Sequence, residues 1–176
     1  GKGADARFSA PVGMTIDASG NLYVGSWEVN PAIRKITPDG TVTTLAGSPG
    51  AGGTTDGVGS AARFRMPWAL AIDAQGVLWV VDIASDTIHS TLRTVLPDGT
   101  VTTVKSDWPT GPAGMPWIDP SGTLYFTSYR ASTITKLAAD GTVTKVAFTK
   151  VKGKWTVSFK PTKSMKGKYL KVGVLA

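Results

Sequence analysis

The chain has no cysteine, which excludes disulfides, thiolate metal centres and thiol nucleophiles. Histidine and glutamate occur once each, as His89 and Glu28. A zinc site built from several histidines is therefore ruled out, and "SDTIHSTL" offers no visible basis for a His and Glu network or a Ser-His-Asp arrangement. His89 reads as a surface loop or strand residue. No apolar run approaches the ~20 residues that cross a bilayer as a helix, so no membrane insertion is expected. There is no initiator Met or signal-peptide pattern, and targeting information is expected to lie outside this sequence. Acidic residues are missing from 145–176, where nine lysines give a net of +9, whereas 1–144 hold ten basic and all twelve acidic residues, a net of −2. The basic character thus belongs to the C-terminal stretch.

Turn formers and repetition are what the sequence has in quantity. With Gly 21 and Pro 11 in 176 residues, and helix formers never gathered in one window, the composition predicts a turn-rich all-β chain. The length suits one domain, with or without an appendage. "PVGMTIDASGNLYVGS" from Pro11 aligns with "PWALAIDAQGVLWVVD" from Pro67 and more loosely with "PAGMPWIDPSGTLYFTS" from Pro112. Each is followed by a second hairpin: "IRKITPDGTVTTLAG", "TLRTVLPDGTVTTV" and "TITKLAADGTVTKV". Alternating apolar and polar residues around "ASG" and "PDG" predict short strands at 13–17, 22–26, 32–36 and 42–46 of the first unit. Four antiparallel strands in a repeated unit of this length are what a propeller blade requires. The opening "GKGADARF" returns as "GVGSAARF" from Gly57, so the chain is expected to begin inside the linker between two blades.

The set "DGVGSAARFRMPWALAIDAQGVLWVVD" with "IRKITPDGTVTTLAG" resembles the NHL repeat, a propeller-blade family of bacterial surface proteins, receptor and sensor ectodomains and animal RNA-binding regulators. The resemblance covers residues 1–147 and implies a partial propeller of three recognisable four-stranded blades, at about 1–56, 57–106 and 107–147. The third blade lacks the "ARF" phrase and carries an inserted residue, "MPWID" against "MTID", so it is expected to be irregular. Propellers of this family close with about six blades, and a partial ring would leave sheet edges open to self-association. Residues 148–176 are expected to form a basic β-hairpin from "KWTVSF" and "KYLKVGVL", as a degenerate fourth blade or an adaptor.

Several residues invite a chemical reading. Asp17, Asp73 and Asp119 recur just before a turn, where a carboxylate accepts its own turn's N–H groups more simply than it binds a metal. Arg7 and Arg63 are expected to bond backbone carbonyls, with Phe8 and Phe64 wedged into the core between blades. Tyr23 and Trp79 occupy equivalent interior strand positions and are expected in the core. Trp27, Trp68, Trp108, Trp117 and Tyr129, with Arg130, fall at strand ends or loops and are the ligand-binding candidates, because flat rings on a propeller face suit sugar or base stacking. Lys150, Lys152, Lys154, Lys160, Lys163, Lys166, Lys168 and Lys171 are the polyanion-binding candidates, although alternating lysine also protects edge strands from aggregation.

The family resemblance implies a non-enzymatic interaction scaffold of an extracellular or cell-surface protein of bacterial type, binding a protein or glycan through propeller loops. No cofactor, metal or catalytic residue is expected. Three alternatives stay open: nucleic-acid or polyanion binding through the lysine-rich stretch, a structural module assembling into rings or filaments, and a propeller-type lyase or lactonase.

Overall fold

A computed structural model of the chain describes residues 1–83, 89–108, 113–128, 133–137, 143–146, 148–151 and 154–157. The strands are β1 (Pro11–Ile16), β2 (Leu22–Ser26), β3 (Ala32–Ile36), β4 (Val42–Gly47), β5 (Gly57–Val58), β6 (Pro67–Ile72), β7 (Leu78–Ile83), β8 (Ser90–Val95), β9 (Thr100–Trp108), β10 (Ala113–Ile118), β11 (Leu124–Ser128), β12 (Thr133–Leu137), β13 (Val143–Lys145), β14 (Phe148–Val151) and β15 (Lys154–Val157). Among the described residues the only helical pieces are two three-residue 3₁₀ turns, Gly3–Asp5 and Gly59–Ala61. The fold is all-β.

Three antiparallel meanders follow one another: sheet 1 in the order β1-β2-β3-β4, sheet 2 as β5-β9-β8-β7-β6, and sheet 3 as β10-β11-β12-β13. Each starts with a hairpin closed by an Asp turn. The Oδ1 of Asp73 accepts the N–H groups of Gln75 at 3.0 Å and Val77 at 2.9 Å, and Gly76 takes φ 80°, a left-handed conformation that costs glycine nothing. Asp17 and Asp119 hold the same positions, with the N–H groups of Ser19 and Asn21, and of Ser121 and Thr123, on Oδ1. The turn reading of the three aspartates is what the structure displays.

Sheet 2 departs from the four-strand expectation. The linker phrase before β6 supplies the extra outer strand, Gly57 facing Val101 and Val58 facing Thr100. Sheet 1 carries a reduced version, a single bridge from Lys2 to Thr41. In both sheets a glycine N–H of the 3₁₀ turn donates to a glycine carbonyl of the outer hairpin turn, Gly3 to Gly40 at 2.9 Å and Gly59 to Gly99 at 3.0 Å. The repeated phrase is thus a clasp along the outer strand of its sheet.

The first hairpin of sheet 3 is regular where irregularity was expected, while residues 129–132 and 138–142 of that blade lie outside the described residues. The hairpin repeats the register of sheet 1, Ala113 facing Ser128 and Pro116 facing Phe126 where Pro11 faces Ser26 and Met14 faces Val24, with the same break in register. Ala113 takes the place of Pro11, so the extra residue falls ahead of the strand. In the C-terminal stretch, Lys154–Val157 pairs with Phe148–Val151, while "KYLKVGVL", expected as the other strand of the hairpin, lies outside the described residues.

Two apolar clusters separate the sheets. One joins Tyr23, Ile33 and Ala46 of sheet 1 to Leu70, Leu78, Val80, Val95 and Val101 of sheet 2, with Ala62 and Phe64 between them. The other joins Ala69, Val81, Ile83 and Leu92 of sheet 2 to Leu124, Phe126 and Leu137 of sheet 3, with Trp79 against it. Alternation along each strand sends one set of side chains to each neighbour. Gly25 is required at the first contact, because a Cβ there would collide with the Pro67 carbonyl oxygen and sit 3.1 Å from a Leu70 methyl.

Phe64 is fully buried between sheets 1 and 2, as expected, whereas Phe8 is 37% exposed and lies outside the core. The cause is position: Phe64 has sheet 1 beyond it, while Phe8 stands on the face of sheet 1 that sheet 2 does not touch, under the Arg34 guanidinium at 5.4 Å.

Candidate functional site

Sheets 1 and 2 each have a turn end, closed by the Asp and "DG" turns, and a loop end, where Pro11, Ser26, Ala32 and Gly47 line up in sheet 1 and Pro67, Asp82 and Thr91 in sheet 2. The loop ends of sheets 1 and 2 adjoin, since Gly13 lies against the Trp68 carbonyl and Gly25 against that of Pro67. Trp27 and Trp68 belong to these adjacent ends.

Trp27 follows β2, half-buried, and its N–H reaches the Ala10 carbonyl at 3.4 Å. Both residues beside that bond have left-handed backbones, Ala10 at φ 40° and Glu28 at φ 66°. Such conformations cost a residue with a Cβ on the order of 1–2 kcal/mol, so surrounding contacts must hold them. One is the Gly50 N–H on the Val29 carbonyl at 2.8 Å. Trp68 is 42% exposed on β6.

At the start of β6, where Pro67 faces Asp82, lies a buried charge cluster that the sequence did not reveal. The Asp82 carboxylate accepts the N–H groups of Arg65 at 3.0 Å and Met66 at 2.8 Å, pinning the segment that leads into β6. Arg93, fully buried, places Nη1 3.3 Å from Asp82 and Nη2 2.8 Å from Asp56, and also donates to the carbonyls of Arg63 and Thr55. Its guanidinium stacks on Phe64 at 4.7 Å. Asp56 in turn accepts the Thr103 N–H and hydroxyl. Burial pushes the Asp82 carboxyl up to about 6, against the pull of the two N–H groups and Arg93. For Asp56 burial raises the pKa, but the Thr103 and Arg93 donors outweigh it and hold the pKa below the usual value. One signal was available: an Arg at the same place in β3 and β8, Arg34 and Arg93, the second preceded far upstream by the Asp of "DGVGSAARF".

Arg7 and Arg63 cap their own linkers as expected, Arg7 donating to the carbonyls of Ala4 and Ala6 and Arg63 to those of Ser60 and Ala62. The aspartates at the turn end have a second task. Oδ2 of Asp17 accepts the Tyr23 hydroxyl at 3.1 Å, that of Asp73 the Trp79 Nε1–H at 3.0 Å, and that of Asp119 the Tyr125 hydroxyl at 3.5 Å. Burial, then the bond to Asp17, pushes the Tyr23 hydroxyl up to about 12. Tyr23 is in the first cluster and Trp79 is partly buried against the second, satisfying their polar tips internally.

The remaining candidates separate. Trp117 sits at the turn end of sheet 3, 53% exposed, with its ring 5.7 Å from that of Tyr125, so the structure does not bring it to the end that carries Trp27 and Trp68. Trp108 closes β9 opposite Ser90, at the loop end of sheet 2, its side chain outside the described residues. Tyr129 and Arg130 lie outside them altogether. So do Lys152, Lys160, Lys163, Lys166, Lys168 and Lys171, while Lys150 and Lys154 are placed only as backbone of the β14-β15 hairpin. His89 is exposed immediately before β8.

No protein-family model and no curated protein sequence matches the chain. Solved structures do resemble it. Virginiamycin B lyase from Staphylococcus aureus aligns with a TM-score of 0.56 at 18% identity, over 84% of this chain and 44% of that one. A gluconolactonase from Xanthomonas campestris aligns at 0.56 and 19%, over 76% and 46%. An auxiliary nutrient binding protein from Bacteroides thetaiotaomicron aligns at 0.58 and 16%, over 75% and 36%. The chain therefore spans less than half the length of these neighbours. At such identities the likeness establishes the fold, a β-propeller architecture represented in part.

Proposed function

We propose that the chain is a non-enzymatic interaction scaffold of NHL type, from an extracellular or cell-surface protein, that binds a protein or glycan at the loop end shared by sheets 1 and 2. The observation that carries this reading is the pair of indoles, Trp27 and exposed Trp68, presented on adjoining sheet ends whose backbone is fixed by left-handed Ala10 and Glu28 on one side and by the Asp82 clamp on the other. Rigid aromatic platforms lose little entropy on stacking against a sugar ring or an apolar side chain. Solved structures with this fold include a lyase and a lactonase as well as a nutrient-binding protein, so the fold hosts both catalysis and binding, and the choice rests on the side chains.

The test is a tryptophan-fluorescence titration with soluble chito-, cello- and malto-oligosaccharides, run on the whole chain and on Trp68→Ala. Saturable quenching by one series, weakened about tenfold or more by the substitution, supports the reading, in keeping with the ~1–3 kcal/mol that one stacked ring contributes. Quenching equally strong in Trp68→Ala contradicts the site. A second reading is favoured by the +9 net charge of residues 145–176, namely polyanion binding by that stretch. It predicts affinity for heparin or single-stranded DNA that falls steeply with salt, against a nearly salt-independent response at the indoles.

A further inference from the structure

Trp68 has a special place in its sheet. Pro67 faces Asp82 and Ala69 faces Val81, so Trp68 is the extra residue of a β-bulge in the β6-β7 ladder. A bulge re-aims a side chain, and whatever holds the bulge sets where the indole points. Sheet 1 gives one support: the Pro67 and Trp68 carbonyls sit against Gly25 and Gly13, where a Cβ would collide with them. Strand β7 gives the other. Asp82 accepts the Arg65 N–H on both oxygens, at 3.0 and 3.3 Å, and the Met66 N–H at 2.8 Å on Oδ1. The Met66 carbonyl in turn accepts the Ile83 N–H at 2.9 Å. On Oδ2 the carboxylate, 2% exposed, also accepts Arg93 Nη1–H at 3.3 Å. Each of these contacts brings Asp82 a donor, and an ionised carboxylate can accept them all. A proton on Oδ2 would oppose the Arg93 and Arg65 donors, and one on Oδ1 would oppose the Arg65 and Met66 N–H groups. Burial acts in the other direction by disfavouring the charge. It outweighs the donors and leaves the carboxyl at about 6.

We infer that Asp82 makes the loop end proton-sensitive: ionised, it clamps the bulge and aims the Trp68 indole at ligand, and protonated, it releases the segment that leads into β6. Ligand is then captured at neutral pH and let go on mild acidification. This rests on the reading of the loop end as a binding site and adds its regulation. The charged groups around Asp82 are few. From β8 comes Arg93, and behind it Asp56, which its donors hold below the usual carboxylate value. The segment before β6 brings Arg65, with an exposed side chain, and His89 is exposed just before β8. Strands β1 and β2 pack on β6 and carry one titratable group, Tyr23, held by Asp17 at the turn end. Glu28, beyond β2, is exposed. Strand β10, packed on β6 and β7 from the other side, carries none. Asp86 lies outside the described residues.

The experiment follows the nitrogen-15 indole signal of Trp68 in the whole chain between pH 7.5 and 5, without ligand and with the chito-, cello- and malto-oligosaccharides, and takes a far-UV circular dichroism spectrum at each pH. Without ligand, the expected signal moves with one midpoint near 6 in the wild type. Histidines titrate in the same range, so His89→Gln is the control, and it should show the same movement. Asp82→Asn, neutral at every pH, should show none. With ligand, the expected dissociation constant is about tenfold higher at pH 5 than at pH 7.5, because only the ionised fraction binds, and Asp82→Asn binds weakly at both. A Trp68 signal that stays in place across this range overturns the inference, as does a movement that disappears in His89→Gln. Equal affinity at the two pH values also overturns it, while leaving the binding site itself standing. If no oligosaccharide binds at any pH but the Trp68 signal titrates in the wild type and not in Asp82→Asn, the binding reading fails and the proton-sensitive clamp is upheld. The wild-type and His89→Gln titrations are decisive even if Asp82→Asn fails to fold.

Discussion

At the residue scale, the three aspartates and the buried arginine do most to fix local geometry. Asp73 holds two N–H groups and the Trp79 indole together. Asp73→Ala leaves those donors without their partner, and the expected loss is ~1–3 kcal/mol in a urea titration, with Asp73→Asn recovering part of it. Arg93 is surrounded by Asp56 and Asp82. Arg93→Leu strands the buried Asp82 charge, and the expected loss is ~3–5 kcal/mol. Asp82 also makes a signed prediction with pH. Its folded pKa, about 6, stands above the ~3.9 of an unfolded carboxylate, so the folded chain takes up the proton first. This group's contribution is therefore full below ~3.9 and is lost as pH rises through 6. Asp56 runs the other way, its contribution being present above the unfolded value and lost on acidification. Unfolding free energies of the wild type and Asp82→Asn, compared between pH 4 and 7, should converge at the acid end and separate as Asp82 ionises. A constant difference across that range contradicts the assignment.

At the element scale, the same phrase has two fates. Phe64 lies between two sheets and Phe8 on the outside of one, so Phe64→Ala is expected to cost ~3–5 kcal/mol and Phe8→Ala ~1 kcal/mol, measured by the same denaturation assay. Equal losses would mean that Phe8 is covered in solution. Strands, turns and the Asp-turn hairpins were legible in the sequence because period-two alternation and "DG" turns are local signals. The clasp was legible only as a repeated phrase: its strand is two residues long and pairs with Val101 and Thr100, over forty positions away, a distance at which a single sequence carries no pairing signal. The misplaced insertion in the third unit has a similar origin. Aligning on Pro112 follows residue identity, whereas the register follows the break between Ala113 and Pro116. Among the site candidates, Trp27 and Trp68 were found as strand-end aromatics, but sequence gave no means of separating them from Trp117, whose strand end is the opposite one. The Arg93 cluster was missed because burial of an arginine depends on partners from three separate segments.

At the scale of the whole molecule, the loop end shared by sheets 1 and 2 is the surface on which the proposed binding depends. Trp68→Ala should weaken oligosaccharide binding and leave the far-UV circular dichroism spectrum unchanged. The central claim is that ligand meets the molecule at the shared loop end of sheets 1 and 2. It is tested most directly by labelling the indole nitrogens with nitrogen-15, assigning each signal by single Trp→Phe substitutions, and adding the oligosaccharide series that quenches fluorescence. The account predicts that the Trp68 and Trp27 signals shift together on saturation, while that of Trp79, whose Nε1–H is held by Asp73, stays in place. A spectrum in which the Trp27 and Trp68 signals are unmoved while that of Trp117 shifts would contradict it.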